Sequence, residues 1–336
     1  MNEINNVVFI SCATYNHASY IEDALNGFCI QQTNFPFVAF VIDDYSNDGT
    51  WEKIYDFFIC NCDFENKATS WEKEDDDAII KYAKHKTNEN LSFEIIRLKY
   101  NHNSIKKSKM MYYQYIIHHS KYCAVCEGDD YWVDPQKLMK QVAILESDHN
   151  CMMVRTNVNR LFQDEGRMEE SFFSKNISGN IKDTLDDYIL NSWFNAPCTW
   201  CYRTDMFHIR DRVLYQMDEH CFRGDALSTM LFCKFGTIKY LDDVTAHYRI
   251  LKKSASHQLN KRDGYNFWHS ITRTRTYFAN DFNVWFRLRF WLHVCWELLY
   301  MMAYRKDMSY IFNWIKFSIK EFQQLFVKSK RLKLDL

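Results

Sequence analysis

The stretch from Cys123 to Trp132, Cys-Ala-Val-Cys-Glu-Gly-Asp-Asp-Tyr-Trp, limits what this chain can become more than any other. An apolar run stops at three carboxylates grouped around one glycine. Burying unpaired charge costs several kcal/mol or forces protonation, so such a cluster belongs at a strand's carboxyl end, facing a crevice. Clustered carboxylates in that position usually face a cation, and hard divalent ions such as Mg²⁺ take oxygen ligands with phosphate as co-ligand. The competing reading is a solvated acidic turn.

The pattern around the cluster favours the crevice. Val7 to Cys12, Phe37 to Ile42, Leu91 to Leu98 and the run into Glu127 read as buried strands. Between them lie segments of helical spacing. Tyr20, Ile21, Ala24, Leu25 and Phe28 follow a capping-box pattern at Ser19–Glu22. Trp51, Ile54, Tyr55 and Phe58 follow Thr50 as N-cap, a helix is expected from Ile105 to His118, and Leu138 to Leu145 follow Pro135. Alternating strands and helices imply a mostly parallel sheet with helices on both faces, and ligands of such sheets bind outside the strands' carboxyl ends. Asp43/Asp44 and Glu127/Asp129/Asp130 both fall at those ends, and this convergence weighs more than either cluster alone.

Residues 61–90 read as a charged insertion, with a short helix expected around Ala78 to Ala83. Beyond Cys151 the pattern is mixed. Cys151 to Val158, Cys198 to Arg203, Thr237 to Leu241 and Val244 to Ile250 are expected as strands, and Leu185 to Trp193 as a helix. A further helix opens at Gly224-Asp225 and closes at Gly236 as its C′ residue. Past Asn260, Trp, Phe, Tyr, Lys and Arg dominate with helical periodicity.

Composition removes several function classes. A chain of 336 residues holds one or two domains, and a net charge of −1 supplies no global field for nucleic acid. No basic N-terminal segment leads into an apolar run, and no stretch of about 20 uninterrupted apolar residues exists. Twelve cysteines in a chain of this length fit reduced thiols, so a cytoplasmic protein is expected. Cys123/Cys126 and Cys198/Cys201 have C-x-x-C spacing, but on strands residues three apart face opposite ways. Buried thiols are therefore preferred over zinc.

Three stretches together resemble the bacterial family 2 glycosyltransferases of the GT-A fold. They are Ala13-Thr14-Tyr15-Asn16, Asp43-Asp44-Tyr45-Ser46-Asn47-Asp48-Gly49-Thr50 and Glu127-Gly128-Asp129-Asp130-Tyr131-Trp132, and the likeness extends over roughly residues 5 to 250. The resemblance implies a Rossmann-like α/β domain at residues 1–255 that binds a nucleotide sugar and carries catalysis. Residues 256–336 would form a C-terminal aromatic and basic helical region. It implies Thr14, Tyr15, Asn16, Asp43, Asp44, Glu127 and Gly128 at the nucleotide. Asp129 would be the first ligand of Mg²⁺ or Mn²⁺, with Glu127 reaching the ribose or a metal-bound water. Asp225 would be the base that takes the acceptor's proton; its other reading is a helix N-cap. Many relatives place a metal-binding histidine two residues after a late Tyr-Arg; here the run is Tyr248-Arg249-Ile250-Leu251, and Leu251 cannot ligate. His257, in the following loop, is the substitute candidate.

The function so implied is metal-dependent, inverting transfer of a hexose-type sugar from a UDP-sugar or similar donor to an acceptor hydroxyl in surface glycan synthesis. The acceptor would be a glycan or a lipid-linked glycan. A nucleotide-sugar-binding protein without catalysis is the alternative. A nucleotidyltransferase is disfavoured, because Cys12 to His17 has neither glycine nor Lys/Arg. Residues 286–333 are aromatic and basic. They fit either a helical hairpin packed on the protein or a peripheral contact with the inner face of the plasma membrane.

Overall fold

Strand and helix alternate over residues 6–61, and then runs of strands and of helices interrupt the alternation. In chain order the elements are β1 (Asn6–Thr14), α1 (Ile21–Cys29), β2 (Phe37–Asp43), α2 (Thr50–Asn61), β3 (Trp71–Glu74), β4 (Ala78–Lys84) and β5 (Leu91–Leu98). Then follow α3 (Met110–His118), β6 (Ser120–Val125), β7 (Tyr131–Trp132), α4 (Lys137–Ser147), β8 (Cys151–Phe162), β9 (Arg167–Glu169) and α5 (Leu185–Asn191). The rest are β10 (Cys201–Arg203), α6 (Asp205–Gln216), α7 (Asp225–Phe235), β11 (Thr237–Ile250), α8 (Lys261–Ala279), α9 (Val284–Arg305) and α10 (Ile311–Phe326). The structure is a computed structural model that describes residues 6–177, 181–191, 194–217, 221, 224–251, 261–305 and 311–326.

The chain forms two compact units. The first comprises Met1–Asn180, Ala196–Phe207 and Gly236–Ser254; the second comprises Ile181–Asn195, His208–Phe235 and Ala255–Leu336. The first holds a sheet of order β3-β4-β5-β2-β1-β6-β10-β8-β11-β7, with β9 paired to β8. The long pairings β5–β2, β2–β1, β1–β6 and β8–β11 are parallel. Parallel strands are covered on both faces and read as continuous apolar runs. Accordingly every residue of β2 is buried, and Phe9, Phe40, Ile42, Ile96 and Leu98 pack with Tyr112 and Ile116 of α3. Parallel strands of one sheet end on the same side, so the turns after β1, β2 and β6 converge there.

Several local expectations give way to tertiary context. Residues 78–83 are strand, not helix. Ala78, Ile80 and Tyr82 share one face and pack on the core, while β4 pairs antiparallel with β5. The charged run Glu72–Asp77 supplies β3 and the turn into β4, and the exposed Lys and Glu side chains of β3 protect the sheet edge. The helix expected from Ile105 starts only at Met110. Cys198 sits in a 3₁₀ turn, Pro197–Thr199, rather than a strand. The two expected late strands are one, β11, whose register shifts between Leu241 and Val244. Helix starts also differ: α1 is capped at Tyr20 without a side-chain bond, and α2 at Gly49, whose φ of 94° suits glycine alone.

Gly236 does not take the left-handed conformation of a C′ glycine. It is required for space, because a Cβ there would lie 2.4 Å from the Asn150 carbonyl oxygen and 2.3 Å from Met152 Cγ. Gly236→Ala is expected to lower the free energy of unfolding by about 1–3 kcal/mol, the cost of overpacking. Urea denaturation followed by circular dichroism measures it; an unchanged midpoint would mean that the backbone at Asn150 yields freely.

Candidate functional site

Three turns meet at the carboxyl ends of β1, β2 and β6, and backbone N–H groups stitch them to one another. Asn16, after β1, adopts φ 58°, a conformation asparagine tolerates. Its N–H donates to Ser46 Oγ at 2.8 Å, and its Oδ1 accepts from the Asn47 N–H at 3.0 Å. The His17 N–H donates to Thr50 Oγ1 at 2.8 Å, and the Ala18 N–H to Asp48 at 3.0 Å. From the third turn, the Gly128 N–H donates to the Ala13 carbonyl at 3.1 Å.

The sequence-predicted residues take distinct positions here. Asp43 is buried and caps its own turn, accepting from the N–H and hydroxyl of Ser46. Burial pushes its carboxyl up, against the pull of those bonds. Asp44 is buried too. It accepts the N–H groups of His102 and Asn103 at 2.8 and 3.2 Å and pairs with Lys109 Nζ at 2.8 Å. The Lys99–Lys107 tract is thereby fastened to the turn. Thr14 is buried with its hydroxyl 3.1 Å from His17 Nδ1, whereas Tyr15 and Tyr45 stand exposed beside it. Exposed aromatic faces next to backbone N–H groups are what a planar base can stack on.

The acidic turn is arranged by depth. Glu127 is exposed, Asp129 half-buried and Asp130 buried. Gly128 leaves no room for a side chain, because a Cβ would lie 2.5 Å from Thr14 Oγ1 and 3.0 Å from His17 Nδ1. His17 Nε2 stands 3.9 Å from Asp129 Oδ2. Burial lowers the imidazole below its ordinary range, against the attraction of Asp129 and Asp48. Asp130 Oδ1 accepts the Arg249 N–H at 2.8 Å. The Arg249 guanidinium donates to the Asp129 carbonyl at 2.7 Å, to Gln163 Oε1 at 3.1 Å and to Asp23. Burial, and then the neighbouring Asp129, raise the Asp130 carboxyl well above its usual range.

Among the described residues, no group of three or more His, Cys, Asp or Glu side chains could hold a metal ion by itself. Asp129 and His17 offer two donor atoms whose separation lies within the span of two ligands of one ion. Two atoms each about 2.1 Å from a cation lie at most about 4.2 Å apart, and 3.9 Å is too long for a hydrogen bond. Asp225 belongs to the second unit, where it is the first residue of α7 and accepts the Ala226 N–H at 2.8 Å. Burial raises its carboxyl against that bond. Leu251 follows β11 directly, and His257 lies outside the described residues. All four C-x-x-C cysteines are buried free thiols.

Sequence reasoning missed His17, Arg249 and Asp23. His17 lies one residue beyond the quoted Ala-Thr-Tyr-Asn, and Arg249 was noted only as a landmark for the absent histidine. No short-range pattern links Arg249 to Asp129 and Asp130, 120 and 119 residues away.

No family model matches this chain. A stretch of 157 residues, 47% of the chain, is 27% identical to uncharacterized proteins of Mycobacterium bovis and Mycobacterium tuberculosis. It spans 36% of the length of those relatives. Among solved structures, residues 1–349 of S. aureus TarS superpose with a TM-score of 0.57 over 95% of this chain and 80% of that one, at 16% identity. The fold is that of TarS. A TarS structure in complex with UDP-GlcNAc matches with a TM-score of 0.55, covering 95% of this chain and 81% of that one at 16% identity.

Asp130→Asn tests the depth ordering. The folded state holds Asp130 protonated over a pH range in which the unfolded carboxyl, at its ordinary value of 3.8, has ionised. Wild-type stability from this group therefore falls as pH rises from that value toward the raised folded one. The asparagine variant lacks this loss and is expected to gain on wild type across that window. Urea titrations between about pH 4 and 8 read the difference; a gap independent of pH would mean that Asp130 is ionised in both states.

Proposed function

We propose that this chain is a metal-dependent, inverting glycosyltransferase that moves a sugar from a nucleoside-diphosphate donor, a UDP-sugar by preference, to an acceptor hydroxyl. The observation that carries the reading is the convergence at Gly128. There the Thr14–His17 turn, the Asp43–Thr50 turn and the Glu127–Asp130 turn are joined by backbone bonds at one end of the sheet. The TarS complex with UDP-GlcNAc, on the same fold, supports the donor class.

In this reading Tyr15 and Tyr45 flank the base, and Asp44 with its bound 101–109 segment forms the edge of the base pocket. Asp129 and His17 would hold the Mg²⁺ or Mn²⁺ beside the donor diphosphate. His17 then stands in for the histidine that Leu251 replaces. Its Nδ1 is engaged by Thr14, which turns Nε2 toward Asp129. The bound ion would offset negative charge on the leaving diphosphate. Glu127 reaches the ribose side. Asp225 accepts the proton of the acceptor hydroxyl as its oxygen bonds to the anomeric carbon and the bond to the diphosphate breaks, inverting that centre. The raised carboxyl suits a base, because it binds the acceptor's proton more readily than an ordinary carboxylate does. The acceptor is a glycan or lipid-linked glycan.

A thermal-shift screen of nucleotide sugars with and without Mn²⁺ tests the donor class, since a ligand of the folded state raises its apparent stability. Asp129→Ala is expected to remove the metal-dependent part of the shift. His17→Gln is expected to weaken Mn²⁺ binding by about tenfold or more, read by electron paramagnetic resonance of free Mn²⁺. Normal Mn²⁺ binding by both variants would eliminate this metal site.

Asp225→Asn separates the two functional classes. It is expected to keep donor binding and lose at least about a hundredfold in transfer, because a carboxamide cannot take the proton. If the wild-type protein binds donor yet neither transfers nor hydrolyses it, the binding-protein alternative stands instead.

A further inference from the structure

The second unit turns its two last helices so that their carboxylates face inward. In α9, Phe290, Val294 and Leu298 are buried, and Glu297 lies 2.8 and 3.1 Å from the Arg275 guanidinium. In α10, Phe317 and Leu325 are buried, as is Glu321, 3.7 Å from Arg273 Nε. The helices are joined by Arg287 donating to the Leu325 carbonyl at 2.8 Å.

The outward face of α9 is a stripe of large apolar and aromatic side chains. Trp285, Leu292, Trp296, Leu299 and Tyr300 are each more than half exposed, at 77, 61, 66, 58 and 63%. Their spacing of seven, four, three and one residues places them on one side of the helix, and exposed Arg289 lies within the stripe. On α10, Ile315 and Ile319 are exposed beside exposed Lys316 and Lys320. Residues 284–333 contain ten Lys or Arg against three Asp or Glu, in a chain whose net charge is −1.

We infer that the outward face of α9, with the lysines of α10, docks on the surface of an anionic lipid bilayer. Tryptophan and tyrosine suit a boundary that is apolar at one end and wet at the other. The basic residues complement anionic headgroups. No described helix is long and apolar enough to cross a membrane, so the helix lies along the surface. A second copy of this chain fits less well. A twofold contact sets a patch against itself, and here that would oppose Arg289 to its own like. The inference does not depend on the transferase reading, and its test uses no donor.

Flotation of the full-length protein with vesicles is the experiment. It is expected to float with phosphatidylcholine vesicles containing phosphatidylglycerol at low salt, and tenfold less with phosphatidylcholine alone. In about 1 M NaCl, where the Debye length is about 3 Å, the phosphatidylglycerol preference should disappear. The double variant Trp285→Ser/Trp296→Ser, whose side chains are exposed, should lose at least tenfold in partitioning while its circular dichroism stays unchanged. Lys316→Glu/Lys320→Glu should lose the lipid preference. No flotation with phosphatidylglycerol at low salt overturns the inference. So does a concentration-dependent dimer in light scattering that the tryptophan variant abolishes, or tighter binding to duplex DNA than to the vesicles.

Discussion

Everything at the carboxyl end of the sheet hangs on how one arginine handles two adjacent aspartates. The Arg249 N–H takes Asp130, and its guanidinium takes the Asp129 carbonyl rather than either carboxylate. A guanidinium paired directly with Asp129 would neutralise it. Bound to the backbone instead, Arg249 orients the turn and leaves the Asp129 side chain facing His17. Asp130 is buried under the turn as the member whose carboxyl is pushed toward the neutral form. Adjacent carboxylates cannot both remain charged at low cost in a poorly hydrated place, and separating them by depth resolves the conflict.

The same arrangement sets where Arg249 must come from. It lies near the end of β11, which pairs with β7, so Tyr131 and Trp132 are fixed by the strand that delivers the guanidinium. His247 adds a 2.6 Å contact to the Tyr131 hydroxyl, and Trp132 Nε1 donates to the Cys198 carbonyl at 2.8 Å. The guanidinium also lies over the rings of Tyr20 and Tyr131 and reaches Asp23 of α1. The acidic turn is thus held from its buried side by three elements distant in sequence.

That distance explains what could be read from sequence and what could not. The central strands, their order of appearance and the position of Asp43/Asp44 and Glu127/Asp129/Asp130 at strand carboxyl ends were legible, because continuous apolar runs ending in carboxylates are local signals. The edge hairpin β3–β4 was not. Its charges resemble a surface helix, and only pairing with β5 makes Ala78, Ile80 and Tyr82 one face. The end of α7 before Gly236 was legible, but its reason was not, since it is a close approach to Asn150 rather than a left-handed φ; the cap of α2 falls at Gly49 rather than Thr50. The motif marked Asp44 at a strand end, but its bonds to His102, Asn103 and Lys109 come from a segment 58 to 65 residues on.

The second unit is built on the same economy of charge with the opposite result. Arg275 is fully buried; it donates to the Ile189 and Leu190 carbonyls near the end of α5, each at 2.6 Å, and forks onto Glu297 of α9. Carbonyls at a helix C-terminus are unsatisfied and negative, so a cation there is stabilised twice over, by them and by the carboxylate. Drawing Glu297 inward has a consequence for the far side of α9. The one acidic residue of that helix is spent on the interior, and what remains outside is Arg289 among tryptophans, leucines and a tyrosine. In the first unit an arginine spares a carboxylate for the site; in the second an arginine removes one from the surface. The cationic, aromatic face of α9 is therefore a product of how the interior is neutralised.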